Sequence, residues 1–138
     1  MKSISEIQEE IIDDFNVFDD WMHKYQYLID LGKDLPVIDN KYKIDENLIR
    51  GCQSRVWLHA IEKNKNIVYT ADSDAIMTKG IIALLIRVLS NQNASDIAKA
   101  DLTFIDEINL TEQLSPTRAN GLLSMIKEMK IYALALNK

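Results

Sequence analysis

Cysteine chemistry is the most specific chemistry that this sequence offers. Cys52 is the only cysteine among 138 residues, and it lies in the segment Arg50–Trp57, which reads RGCQSRVW. A lone thiol cannot close a disulfide within its own chain, and it cannot complete a cysteine-rich metal site. Any reaction of this sulfur therefore needs a second molecule, and the sequence predicts Cys52 as the reactive group.

Charge and composition exclude several other classes of function. The chain carries 16 Lys and Arg against 21 Asp and Glu, a formal net charge of −5, which argues against nucleic acid as a partner. The most apolar stretch, Ile76–Leu89, contains Lys79 and Arg87, so we expect a buried helix and no membrane segment. The first residues lack the pattern of a signal peptide, and one unpaired cysteine suits a reducing compartment. We expect a cytoplasmic protein.

Two helices are predicted before any strand. Ser3 followed by Glu6 forms a capping box pattern, and apolar residues recur at helical spacing after it. A second helical pattern covers Asp20–Leu31, where Gly32 is expected to end the helix and Pro36 to prevent its resumption.

A short antiparallel sheet is predicted in the middle of the chain. We expect strands at Asn47–Ile49, Val56–Ile61 and Ile67–Ala71, with a hairpin turn at Lys63–Asn66. Asp72–Asp74 then offers side-chain oxygens that could cap the next helix. The sequence thus predicts three strands.

The remainder of the chain is predicted to be helical. Ser115 can cap the last helix and Pro116 suits its first position. Helices, a short sheet and further helices in that order indicate an α+β fold, and no linker divides residues 1–138, so we expect a single domain. The predicted helices after the sheet cover Ile76–Leu89, Ala94–Ala100 and Phe104–Ile108, followed by a long terminal helix with Leu122, Met125, Ile126, Met129 and Tyr132 on its inner face.

The segment around the cysteine resembles a known signature. Gly51–Trp57 is similar to the active-cysteine motif of the SufE family, the sulfur acceptors that work beside a cysteine desulfurase in iron–sulfur cluster assembly. Three further blocks resemble the family in the same order: Trp21–Pro36, Asp72–Gly80 and Leu114–Leu122. Together the four blocks span nearly the whole chain.

The resemblance implies a fold, a reaction and partners. It implies a SufE/IscU-like fold in which Cys52 takes sulfur as a persulfide from a SufS-like, PLP-dependent desulfurase and passes it to a downstream iron–sulfur scaffold. The protein would then be an activator and carrier, not an enzyme. It would bind no cofactor or metal itself, because the PLP belongs to the desulfurase. We expect a monomer or weak homodimer.

The same resemblance suggests residues that support the thiol. Arg118 matches an arginine of the family pattern and is the first candidate to activate the thiolate, and Asp74 matches an acidic residue near the cysteine loop. Gly51 would give the loop freedom at positive φ. Gln53 and Ser54 are either donors to a persulfide or ordinary turn residues. We expect this loop to rest inward and to swing outward toward a partner.

Two other classes of function remain open from the residues alone. An iron–sulfur scaffold of IscU-like fold would need several thiolates, whereas each chain has one. A cysteine-dependent hydrolase or peroxidase would need a general base or a resolving thiol. His23 and His59 are the two histidines, and the sequence gives neither an evident orienting partner.

Overall fold

The chain places two helices before a β-hairpin and a series of helices after it. The computed structural model describes residues 2–137. Two 3₁₀ helices, Asn40–Tyr42 and Asp45–Asn47, precede the hairpin. The α+β class is confirmed. The elements are α1 (Ile4–Asn16), α2 (Trp21–Lys33), β1 (Val56–Lys63), β2 (Asn66–Ser73), α3 (Ile76–Leu89), α4 (Ala94–Lys99), α5 (Phe104–Glu107), α6 (Leu110–Gln113) and α7 (Pro116–Leu136).

The first helix begins at the capping box that the sequence predicts. The Glu6 N–H donates to Ser3 Oγ at 3.1 Å, and the Ser3 N–H donates to the Glu6 carboxylate at 3.1 Å. These reciprocal bonds satisfy backbone donors that a helix start leaves unpaired. The inner face of α1 then buries Ile11 and Phe15.

The prediction that Gly32 ends α2 is wrong. The helix continues to Lys33, and Gly32 is buried where α2 crosses α3. A Cβ at Gly32 would lie 3.0 Å from the Gly80 nitrogen, and a Cβ at Gly80 would lie 2.4 Å from the Leu28 carbonyl oxygen. Both glycines are therefore needed for close approach of the two helix backbones.

The sheet is a single hairpin. β1 and β2 pair antiparallel from Val56 opposite Ser73 to Lys63 opposite Asn66. The predicted turn is confirmed, with Asn64 at φ 53° and Lys65 at φ 69°. Two consecutive residues in the left-handed region match the twist of the flanking strands.

The predicted third strand is absent from the described residues, and the sheet has two strands. Within Asn47–Ile49, only Leu48 forms an isolated bridge, to Trp57. The 3₁₀ helix Asp45–Asn47 ends immediately before it, and the left-handed turn at Gly51 follows closely. The extended segment between them is too short for a ladder, so the expectation of three strands was wrong.

The Asp72–Asp74 segment does not cap α3, contrary to the prediction. The cap residue is Ala75, which offers no side-chain hydrogen bond. Asp72 instead accepts a hydrogen bond from Lys43 Nζ at 2.9 Å and lies 3.4 Å from Lys79 Nζ. Its partly buried carboxylate is thus compensated by two cations.

The hairpin packs against α3 and α7, which enclose the core. Ser115 caps α7 and Pro116 starts it, as predicted. Met129 is fully buried, and its carbonyl accepts a hydrogen bond from the Tyr69 hydroxyl at 2.6 Å. Of the predicted inner face of α7, Leu122 and Met125 are also buried, whereas Ile126 and Tyr132 are half-buried.

α3 is the most apolar helix, and it lies in the protein core. Ten of its residues, including Ile82, Leu84 and Leu85, are buried. Arg87 stays at its edge and donates to Asp14 Oδ2 at 3.0 Å, which ties α3 to α1. Among residues 2–137, no helix combines the length and apolar composition needed to cross a bilayer.

The close crossing of α2 and α3 predicts that alanine at position 80 destabilises the protein, whereas alanine usually stabilises a helix interior. Gly→Ala in an ordinary helix interior stabilises by about 0.5–1 kcal/mol. Gly80→Ala should instead destabilise by about 1–3 kcal/mol, because the new methyl group overlaps a backbone carbonyl. Chemical denaturation of the wild type and of Gly80→Ala measures this change in the free energy of unfolding.

Gly121→Ala is the matched control for this experiment. Its added Cβ would lie 3.5 Å from the nearest neighbouring atom, which is ordinary van der Waals contact. We expect this variant to be as stable as the wild type or more stable. A Gly80→Ala protein that gained stability would contradict the close crossing.

Candidate functional site

The cysteine loop, residues 50–55, is held in a closed conformation between the 3₁₀ segment and β1. The Ile49 N–H donates to the Val56 carbonyl at 2.8 Å and closes the base of the loop. Gly51 adopts φ 94°, the positive value expected from the sequence. A Cβ there would lie 2.3 Å from Ser124 Oγ on α7, so the Ser124 hydroxyl would have to move, and the positive φ itself favours glycine at this position.

The Cys52 thiol faces inward against α7. The side chain is half-buried, and Sγ lies 3.6 Å from the Gly121 carbonyl oxygen, to which the thiol donates. Burial raises the pKa of the Cys52 thiol, because it disfavours the charged thiolate. The resting group is therefore a protonated, weak nucleophile at neutral pH.

Beside the thiol lies a cavity of about 380 Å³ between the cysteine loop, α3 and α7. The predicted site residues Cys52, Gln53, Ser54 and Arg118 all line it. Its wall combines hydroxyl groups with apolar side chains, so it offers both shelter and hydrogen-bond donors. The other lining residues are Thr78, Ile81, Ser115, Thr117, Gly121 and Met125.

Arg118 supplies positive charge to this cavity. It lies in the first turn of α7, where its N–H donates to Ser115 Oγ at 3.3 Å, and its side chain is exposed. Across residues 2–137 its guanidinium forms no salt bridge and no hydrogen bond with Cys52. A cation without a partner at a helix N-terminus favours anions nearby.

Asp74 lies outside the lining of the cavity and contacts the backbone of the cysteine loop. Its Oδ1 accepts from the Arg55 N–H at 3.1 Å, and its own N–H donates to the Arg55 carbonyl at 3.3 Å. Ser73 Oγ donates to that carbonyl at 2.7 Å. Asp74 therefore fixes the end of the loop, and it does not line the site itself.

Neither histidine is placed to serve Cys52 as a base. His23 Nδ1 lies 2.8 Å from Asp20 Oδ1 at the start of α2. The His59 ring stacks on Tyr42, with centroids 3.8 Å apart. Neither residue lines the cavity. In the part of the chain that the structure describes, no group of three His, Cys, Asp or Glu side chains could hold a metal ion.

Sequence reasoning missed three residues at this site. Gly121 leaves space beside Cys52 Sγ, and Ser124 fills the space that a side chain at position 51 would need. Thr78 is buried in α3 with 7% exposure and lines the cavity. The available signal for Thr78 was a polar residue within the most apolar stretch of the sequence.

Comparison with known proteins assigns the chain to a family. The model of the SufE family, described as an Fe-S metabolism associated domain, matches residues 9–133. This chain belongs to the SufE family. A SufE-like protein of Rhizobium meliloti (strain 1021) is 39% identical over 130 residues, which cover 91% of this chain and 93% of that protein.

Two further comparisons give a plant relative in sequence and a solved structure of similar fold. The Arabidopsis thaliana "SufE-like protein 1, chloroplastic/mitochondrial" is 40% identical over 129 residues, covering 93% of this chain but 35% of the plant protein. This chain thus spans about a third of that relative. The solution structure of a hypothetical protein from Thermus thermophilus matches with TM-score 0.78 at 15% identity, covering 94% of this chain and 95% of the other, and supports the fold.

The burial of Cys52 predicts a pH profile for its alkylation. Because burial raises the thiol pKa, the folded protein should react slowly with iodoacetamide at neutral pH. The alkylation rate should rise with pH, and the midpoint of that rise should lie at a higher pH than for an unhindered thiol. The denatured protein is the control, since unfolding restores the ordinary pKa. A folded midpoint at or below the denatured one would contradict the inward thiol.

Proposed function

We propose that this SufE-family protein accepts sulfur on Cys52 from a PLP-dependent cysteine desulfurase and delivers it for iron–sulfur cluster assembly. The observation that supports this most directly is the placement of Cys52. It is the chain's only thiol, and it lies beside a cavity that Arg118 and several hydroxyl groups line. Family membership supplies the link to iron–sulfur metabolism.

The transfer step is a thiol–persulfide exchange. The Cys52 thiolate attacks the outer sulfur of a persulfide on the donor's cysteine. The bond between the donor's two sulfurs breaks as the new bond to Cys52 Sγ forms. The donor leaves as a thiolate and takes up one proton, equivalent to the one that Cys52 lost. The exchange needs no external oxidant or reductant.

Storage and transfer place opposite demands on Cys52. A half-buried thiol with a raised pKa is protected from oxidants, but it is a poor nucleophile. Transfer needs an accessible thiolate in line with the donor sulfur. We propose that contact with the desulfurase moves the cysteine loop outward and that a cation, Arg118, stabilises the thiolate. The protein would then act as carrier and activator, with no turnover of its own.

The alternative functions have less support from the site. A cysteine hydrolase needs a base near the thiol, and both histidines are engaged elsewhere. A peroxidase would need a resolving thiol, and a cluster scaffold would need further thiolates. Each chain has only Cys52.

Intact mass measurement tests the proposed acceptance directly. After incubation with a cysteine desulfurase and L-cysteine, the protein should gain the mass of one sulfur atom, and a thiol reductant should remove it. Cys52→Ser should gain nothing and should not stimulate the desulfurase. It should still fold, because the change affects a partly exposed loop. Full stimulation by this variant would overturn the proposal.

Arg118 gives a second test that separates function from structure. Arg118→Ala should slow sulfur acceptance about tenfold, the order expected for one lost charge-assisted hydrogen bond. Its melting temperature should barely change, because the exposed guanidinium has no ion-pair partner among the described residues.

Lysine at the same position is the matched control. Arg118→Lys keeps the positive charge but loses the planar, two-point donor, so we expect partial recovery of the rate. Transfer rate and melting temperature are measured on both variants. A large loss of stability with unchanged transfer would make Arg118 a structural residue.

A further inference from the structure

Thr78 is a buried polar residue with an unused hydroxyl. It lies on α3 with 7% exposure and lines the cavity beside Cys52. Within residues 2–137 its side chain has no hydrogen-bond partner. A helical threonine often donates to the carbonyl four residues earlier, and Thr78 does not.

The other buried polar side chains are satisfied. Gln8 donates to the Asp101 carbonyl at 3.2 Å, and Gln92 donates to the Lys2 carbonyl at 2.9 Å. No fully enclosed side-chain nitrogen or oxygen lacks a partner among the described residues, so the unpartnered Thr78 hydroxyl keeps some accessible surface, and Thr78 lines the cavity. A largely buried hydroxyl without a protein partner is available to hydrogen-bond a group that enters the cavity.

The surroundings of Thr78 suit a polarizable, sulfur-sized group. Ile81 and Met125 provide apolar wall, and Gly121 contributes no side chain beside Cys52 Sγ. About 380 Å³ of space is ample for one sulfur atom bonded to Cys52. The cavity therefore has room for the outer sulfur of a Cys52 persulfide with the loop still inward.

We propose that the Thr78 hydroxyl donates a hydrogen bond to the outer sulfur of the Cys52 persulfide and so holds the sulfur in the cavity. This inference rests on the proposed function, and it adds a binding residue for the loaded state. In the unloaded state the Cys52 thiol donates to the Gly121 carbonyl and does not need Thr78. Thr78 should therefore affect persulfide retention and leave the free thiol unchanged.

Electrostatics explain why one hydroxyl matters here. The outer sulfur of an ionised persulfide carries negative charge, and burying a charge without donors is costly. A hydrogen bond to a charged group is stronger than one between neutral groups, and removing it should shift an equilibrium about tenfold. Arg118 at the same cavity adds positive charge, and Thr78 adds a neutral hydroxyl donor that is itself largely buried.

Sulfur partition with a small thiol tests the contact without any desulfurase. Glutathione persulfide and Cys52 thiol exchange to give glutathione and Cys52 persulfide, and intact mass gives the loaded fraction at each ratio. Thr78→Val, which has nearly the same shape but no hydroxyl, should shift this equilibrium about tenfold toward unloaded protein. Thr78→Ser, which keeps the hydroxyl, should stay within about twofold of the wild type.

Two controls separate this contact from a structural effect. Melting temperature and the alkylation rate of unloaded Cys52 should match the wild type in both variants. Equal partition in the wild type and Thr78→Val would overturn the proposal, and so would an equal shift in Thr78→Ser. A parallel change in the alkylation of unloaded Cys52 would also overturn it, because the free thiol itself would then be altered.

Failure of the Thr78 contact and failure of the proposed acceptor function give different results. If glutathione persulfide loads Cys52 but a desulfurase with L-cysteine does not, acceptance from a desulfurase is wrong. The partition shift in Thr78→Val would still support the sulfur-binding contact. Normal loading by the desulfurase with no effect of Thr78→Val would remove the contact and leave the acceptor function.

Discussion

The close contact between the cysteine loop and α7 is the constraint on which the site depends. Gly51 brings the loop backbone within reach of Ser124, and Gly121 leaves room for Cys52 Sγ beside the helix. The positive φ of Gly51 favours glycine at that position, whereas a Cβ at position 121 would make ordinary van der Waals contact with Cys52 Sγ. This contact buries the thiol, aligns it with the Gly121 carbonyl and closes one side of the cavity. The raised pKa of the Cys52 thiol follows from that burial.

Much of the fold could be predicted from local sequence signals. The capping box at Ser3, the hairpin turn and the start of α7 at Ser115 each depend on residues close together in the chain. The errors came from distant contacts. Gly32 is a helix-ending residue by local propensity, yet packing against Gly80 keeps it within α2. The expected strand before Gly51 lacked the length to pair.

The site shows the same division between local and distant information. The motif around Cys52 and three further blocks led to the family, which the family comparison confirms, and the structure brings Arg118 to the same cavity as Cys52. The motif could not distinguish a residue that lines the site from one that braces the loop, as Asp74 does. It also gave no indication that Thr78 lines the same cavity as Cys52, because that placement depends on how α3 packs.

The closed base of the cysteine loop has a consequence for how the loop can move. The bond from Ile49 to Val56 and the bonds from Asp74 to Arg55 lie behind Cys52. A loop tip can then pivot on these anchors while the hairpin ladder stays intact. Outward movement about these anchors would break the hydrogen bond from Cys52 to Gly121 and separate Gly51 from Ser124. Under the proposed function, fixed anchors of this kind would return the loop to the same closed position after each encounter with a partner.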